Sequence, residues 1–186
     1  MNFNKHFNLE GKHAFLGASK YGWVKYDENE IVASYRRFKD VERGTRLHEL
    51  AARLIREGVR LEDTAGTLNQ YVNDAIGFRM TPEQPLYYSP VCFGTADAIS
   101  YRNGLLRIHD LKTGKGKANI LQLRIYAALF CLEYDINPGD IQIELRIYQS
   151  NEIFIDQPTI EDIMPIIDKI IMFTKLLQKI MDEEGY

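Results

Sequence analysis

The 186-residue chain predicts an α/β (α+β) domain. Its expected architecture is a mixed central β-sheet flanked by helices, with a helical region before the sheet and a long helix after it. Two observations carry this. The apolar period is helical up to about residue 76, alternates between 84 and 112, and then changes once more in each direction. Turn signals punctuate the alternating parts, at Asn103-Gly104 and at Ser150-Asn151.

The elements follow in order. Residues 13–26 hold Phe15, Tyr21, Tyr26 and the only tryptophan, Trp23. A helix is expected over 27–40, where Ile31, Tyr35 and Phe38 recur at three-to-four spacing. A second is expected over 44–57, with Leu47, Leu50, Ala51, Leu54 and Ile55 as its apolar stripe. A third covers 64–76. Strands at 84–89, 91–101 and 105–112 are rich in β-branched and aromatic residues. Residues 118–134 return to helix, and 141–149 with 152–156 form a second hairpin. The last helix starts at Thr159, an N-cap with Asp162 three residues on. Its stripe runs from Ile163 through Ile166, Ile167, Ile170, Phe173 and Leu177 to Ile180. The length suits one domain, with 1–43 as an aromatic and helical N-terminal region, 44–149 as the core and 150–186 as the closing hairpin strand and helix.

Composition narrows the class. Hydrophobic residues at 45% and charged residues at 26% are those of a globular protein. No apolar run reaches the roughly 18 residues that cross a bilayer, and 1–10 carry no signal-like stretch, so no membrane partner and a cytoplasmic location are expected. Cys92 and Cys131 sit in apolar runs and read as small hydrophobes, not as a disulfide or cluster site. The net charge of −3 excludes a protein that coats nucleic acid by bulk charge. Positive charge is nevertheless gathered in two stretches, Arg36 to Arg60 and Arg102 to Arg124. On charge alone these are solvated faces.

The first hairpin carries the chemistry. If Asn103-Gly104 is a two-residue turn, Arg102 pairs with Leu105, and stepping outward from the turn brings Asp97 opposite Asp110, with Cβ atoms about 5 Å apart. Two carboxylates so placed repel unless something positive lies between them, and a hard divalent cation suits oxygen ligands. Period two puts Lys112 on the face of Asp110. Gly94, Ala96 and Ala98 are expected together on the opposite face of their strand, where another element packs closely. Asp-x-Lys alone is a chance pattern; with Asp97 in register it is a phosphodiesterase arrangement. The carboxylates hold a metal that acidifies water, and the lysine offsets charge on the phosphate.

Four segments in order resemble the RecB-like branch of the PD-(D/E)xK nuclease superfamily, particularly phage-borne relatives of CRISPR-adaptation nucleases. They are Arg43-Gly44-Thr45-Arg46-Leu47-His48-Glu49, Gly94-Thr95-Ala96-Asp97-Ala98-Ile99, His109-Asp110-Leu111-Lys112-Thr113-Gly114 and Gln122-Leu123-Arg124-Ile125-Tyr126. The resemblance implies a restriction-endonuclease-like core and a Mg²⁺- or Mn²⁺-dependent deoxyribonuclease. His48, Asp97, Asp110 and the Leu111 carbonyl would be metal ligands, and Lys112 the catalytic lysine. Gln122 and Tyr126, one turn apart on a helix, would orient it or touch DNA. Glu83 is a candidate for a second metal and Glu49 a weaker one, while His109 points away from the acids and is read as structural.

Arg43, Arg46, Lys115, Lys117 and Arg124 are the expected phosphate contacts. Tyr21, Trp23 and Tyr26 offer stacking surfaces, although a lone Trp more often anchors its segment. The expected substrate is single-stranded DNA or DNA ends, digested as an exonuclease in bacterial or phage recombination, repair or CRISPR-related processing. Many relatives carry four cysteines for an iron–sulfur cluster; with two, none is expected here. Gly114-Lys115-Gly116-Lys117 lacks the P-loop pattern, so no motor is expected. The other reading is a binding protein that keeps the nuclease fold for DNA contact or to dock on a recombination or CRISPR complex. Besides DNA, the candidate partners are further copies of the chain or a recombination or CRISPR protein.

Overall fold

The structure, a computed structural model, describes residues 14–114 and 116–184. Lys115 and the polar stretch 1–10 lie outside the described residues. The chain divides into two compact units, Met1–Thr45 and Arg46–Tyr186.

The first unit contains a 3₁₀ segment, Ala18–Lys25, and the start of helix α1, Glu28–Glu57. Asp27 and Glu30 open α1 with a reciprocal capping box: each backbone amide donates to the other's carboxylate, at 2.9 and 2.8 Å. Phe15, Tyr35 and Phe38 pack ring on ring, with centroids 5.1 to 6.2 Å apart. Trp23 is half-buried and its indole N–H donates to the Gly17 carbonyl at 3.2 Å. It ties down its own turn, while Tyr21 and Tyr26 stay exposed.

One helix replaces the two expected over 27–40 and 44–57. Gly44, the first residue expected of the second helix, is buried inside α1. An interior glycine costs about 1 kcal/mol of helix propensity but does not end a helix.

The second unit is built on a five-stranded sheet in the order β1-β2-β3-β4-β5. The strands are β1 Thr81–Ser89, β2 Cys92–Arg102, β3 Leu105–Lys112, β4 Gln142–Gln149 and β5 Glu152–Asp156. Only β3 and β4 run parallel; the other pairs are antiparallel, so the sheet is mixed as predicted. Helix α2, Thr67–Gly77, precedes the sheet, α3, Leu121–Glu133, makes the crossover between the parallel strands, and α4, Ile160–Glu184, follows it. Thr159 immediately precedes α4, and its amide donates to the Asp162 carboxylate at 3.0 Å, while its hydroxyl donates to Glu161 at 2.6 Å rather than capping an amide of the first turn.

Helices cover both faces. On one, Leu106 and Ile108 of β3 pack with Leu123, Ala127 and Phe130 of α3 and with Ile163 and Ile167 of α4. On the other, Leu111 and Tyr148 pack with Ala51 and Ile55 of α1 and with Tyr71, Val72 and Ala75 of α2. Leu50, expected in the α1 stripe, is 44% exposed. Beyond Ile167 the stripe of α4 emerges from the core, leaving Phe173, Leu177 and Ile180 exposed. Among the described residues, no helix is long and apolar enough to cross a membrane.

Candidate functional site

The site begins at the β2–β3 turn. Asn103 and Gly104 both take left-handed φ, 52° and 74°, as a two-residue hairpin turn with the right twist requires. Pairing runs from Arg102↔Leu105 to Ala98↔His109, the register read from the sequence. It stops there, one step short of Asp97 and Asp110. Instead of a ladder bond, the Leu111 amide donates to Asp97 Oδ2 at 2.9 Å.

The neighbouring pair breaks at the same level. Pro82↔Ala98 and Gln84↔Ala96 are paired, and between them Glu83, at φ 52°, and Asp97 are not. Glu83, Asp97 and Asp110 therefore form one row across β1, β2 and β3. The break also changes which face the side chains address. Gly94 and Ala96 face α3, whereas Ala98 packs with Leu111 and Tyr148 in the other core. The expectation that all three share one face is corrected by this kink, which strict alternation does not foresee. Gly94 has a specific reason to lack a side chain: a Cβ there would lie 2.8 Å from Cε1 of Tyr126.

His48, on α1, brings its Nδ1 to 3.3 Å from Asp97 Oδ2. Ligand atoms of His48, Glu83 and Asp97 all lie within 4.8 Å of one another. This tight trio contains Glu83, which the sequence offers only as a candidate for a second metal, and does not contain Asp110. The acids strain one another's ionisation. Burial, then the charge of Asp97, pushes the carboxyls of Glu83 and Asp110 above their usual range. The hydrogen bond to Asp97 raises His48.

Asp110 is buried and serves a second set of contacts. Lys112 Nζ lies 3.1 Å from both of its oxygens but has hydrogen-bonding geometry only to Oδ1. Oδ2 is buried with no hydrogen-bond donor among the described residues. Lys112 also donates to Gln122 Oε1 at 2.9 Å, and Gln122 Nε2 donates to the Tyr126 hydroxyl at 3.3 Å. A continuous chain of hydrogen bonds thus links Asp110, Lys112, Gln122 and Tyr126. The Asn119 side chain accepts from the Leu121 amide at 2.9 Å and fixes the start of α3 that presents Gln122. Beside this chain opens a hollow of about 690 Å³, with Lys112, Gln122, Tyr126, Gly94, Phe93 and Lys117 among its walls.

The remaining expected residues divide. Lys117 is exposed at the hollow, Arg46 and Glu49 are exposed on α1, and Arg43 belongs to the first unit. Arg124 is no phosphate contact in this fold, because its guanidinium is spent on Asp156, at 2.9 and 3.2 Å, and on Asp162, at 2.7 Å. His109 is fully buried on the α2 face and takes no part in the acidic row. Its Nδ1 lies 3.2 Å from the Tyr148 hydroxyl, which donates to Asp74 at 2.6 Å. The histidine must therefore donate from Nδ1. Burial, with Arg146 and Arg107 nearby, pushes its pKa down to about 3. Cys131 is buried in the core and Cys92 half-buried at the hollow, both unpaired.

Gln149 escaped sequence reasoning. Its Nε2 donates to the carbonyls of Gly114 and Gly116, at 2.6 and 2.7 Å, and so holds the loop that follows Lys112. The signal is its position beside Lys112 in the parallel β3–β4 register, which is visible only once that pairing is known. Comparison of the chain with family models, with curated proteins and with solved structures finds no match.

Proposed function

We propose that the chain is a divalent-metal-dependent nuclease that hydrolyses phosphodiester bonds of DNA. The observation that carries this reading is the meeting of two groups in the acidic row: the His48–Glu83–Asp97 trio and the Asp110–Lys112–Gln122–Tyr126 hydrogen-bond chain. Carboxylates with one imidazole suit Mg²⁺ or Mn²⁺, and the buried Oδ2 of Asp110, which has the Lys112 ammonium at 3.1 Å but no aligned hydrogen-bond donor, keeps a lone pair for a cation. His48, Glu83, Asp97 and Asp110 would hold the ion, and the family resemblance adds the Leu111 carbonyl. When bound, the ion supplies Lewis-acid stabilisation of phosphate charge and a more acidic water.

The chain's own residues supply the rest. Lys112 brings a cation to the oxygens on which charge develops. Gln122, itself braced by Tyr126, fixes where its ammonium points. Lys117 offers charge to the polyanion at the hollow, and Arg43 and Arg46 add charge on α1. Single-stranded DNA or frayed ends suit the exposed aromatic pair Tyr87 and Phe93, stacked at 25° with Phe93 at the hollow. That pair replaces Trp23, whose indole is used locally, as the stacking surface. We assign the enzyme end-directed, exonucleolytic cutting in recombination, repair or CRISPR-related processing, and this follows from the resemblance alone.

A Mn²⁺ titration followed by calorimetry tests the site. The protein binds Mn²⁺, binding tightens as pH rises because Glu83, Asp110 and His48 must shed protons to act as ligands, and Asp97→Asn abolishes it. The same variant keeps an oxygen for the Leu111 amide and relieves repulsion with its acidic neighbours, so its metal-free melting temperature stays near wild type. Undiminished Mn²⁺ affinity in Asp97→Asn would remove the basis of the proposal.

A further inference from the structure

A second polar hollow lies at the other end of β3. It has a volume of about 510 Å³, and its walls include Phe78, Arg79, Arg102, Asn103, Arg107 and Gln142 but no acidic residue. Three guanidiniums around one cavity are unexpected in a chain of net charge −3. Arg107 is partly neutralised by Glu144, at 3.1 Å. Arg79 and Arg102 are exposed and make no ion pair among the described residues. The C-terminus of α2 adds roughly half a negative charge nearby, which Arg60, its Nη2 beside Gly77, is placed to offset.

The frame is fixed in advance. Arg79 is held at φ 52°, where a non-glycine residue persists only if its surroundings impose it, and its amide bonds to the Ile76 carbonyl at 3.0 Å. The Phe78 and Met80 amides on either side bond back into α2, at 2.8 and 2.9 Å. The Phe78 ring lies 4.4 Å from the guanidinium of Arg107, which it steadies. Asn103 is locked in the hairpin turn, and the Gln142 amide bonds to Gly104 at 2.8 Å. Unpaired guanidiniums on rigid backbone are the chemistry that recognises phosphate, by paired N–H donors.

We propose that this hollow is a phosphate-binding site, with Arg79 and Arg102 as its principal ligands and Arg107 as a third. Its ligand is a phosphate group, borne either by a nucleic-acid backbone or by a small free phosphate. The site does not depend on the proposed nuclease reading. From Leu105 at its wall to Asp110 is five residues of β3, roughly 17 Å.

Binding is measured in chelator, which removes metal chemistry, with inorganic phosphate and with a labelled oligothymidylate as the two probes. The variants are Arg102→Gln and Arg79→Asn, since asparagine tolerates left-handed φ; circular dichroism checks the fold. The double variant is expected to bind at least one probe tenfold more weakly. Loss for both probes, with a salt dependence reduced by one to two phosphate contacts for the oligonucleotide, assigns the backbone as ligand. Loss for phosphate alone assigns a small free phosphate. Unchanged affinity for both probes in a folded double variant overturns the proposal.

Discussion

At the scale of single residues, what was legible depended on how local the geometry is. Asp97, Asp110 and Lys112 follow from one turn and a period of two, because a two-residue turn fixes the register of the hairpin that contains them. Glu83 joins the trio through a left-handed kink, and Gln149 reaches the loop after Lys112 through a parallel pairing across a long crossover; neither leaves a mark in sequence periodicity. His109 was read as structural, and its environment makes a prediction. Its pKa falls from 6.5 in the unfolded chain to about 3 in the fold. As pH drops below 6.5 the unfolded chain takes up a proton that the folded one refuses, so stability falls until pH 3, by on the order of 5 kcal/mol. His109→Asn keeps a donor for Tyr148 and removes this titration. Urea unfolding at pH 7 and pH 4.5 is expected to show a smaller acid loss in the variant than in wild type, and equal losses would contradict the burial argument.

At the scale of elements, most spans were visible because the periods are clean, and the misses have identifiable causes. The alternating, aromatic-rich pattern suggests a strand from residue 84, two residues after Pro82. The structure starts β1 at Thr81, because β1 is an edge strand where proline need not donate to a ladder. The two helices expected over 27–40 and 44–57 are one, because an interior glycine lowers helix propensity without ending a helix. Arg124 was expected to meet phosphate on the strength of its place in a basic stretch, yet it joins α3 to β5 and α4 through Asp156 and Asp162. Composition does not show which acids a folded chain brings within reach. Arg124→Ala is accordingly expected to lower the melting temperature, because three hydrogen bonds joining α3 to β5 and α4 are lost, by an amount that solvent screening keeps modest. Its affinity for DNA should be unchanged. Thermal melting and anisotropy with a labelled strand measure the two effects, and weakened binding without loss of stability would restore the original assignment.

At the scale of the whole molecule, a kinked edge hairpin, a crossover helix and the inner half of α1 each contribute side chains to one acidic centre. None of these elements holds a site alone. Glu83 and Asp97 need the shared break in β1 and β2, His48 needs α1 packed on the α2 face, and Gln122 needs α3 on the other. The sheet is thus the device that lets two faces meet at one row of carboxylates. The measurement that tests this account most directly is cleavage of an end-labelled DNA single strand by wild type and Lys112→Ala, each in Mg²⁺ and in excess chelator. The account predicts cutting by wild type in Mg²⁺ only, and a rate at least a hundredfold lower in Lys112→Ala, the scale of losing one charge-stabilising group. Cleavage that persists in chelator, or that is undiminished in Lys112→Ala, would contradict it.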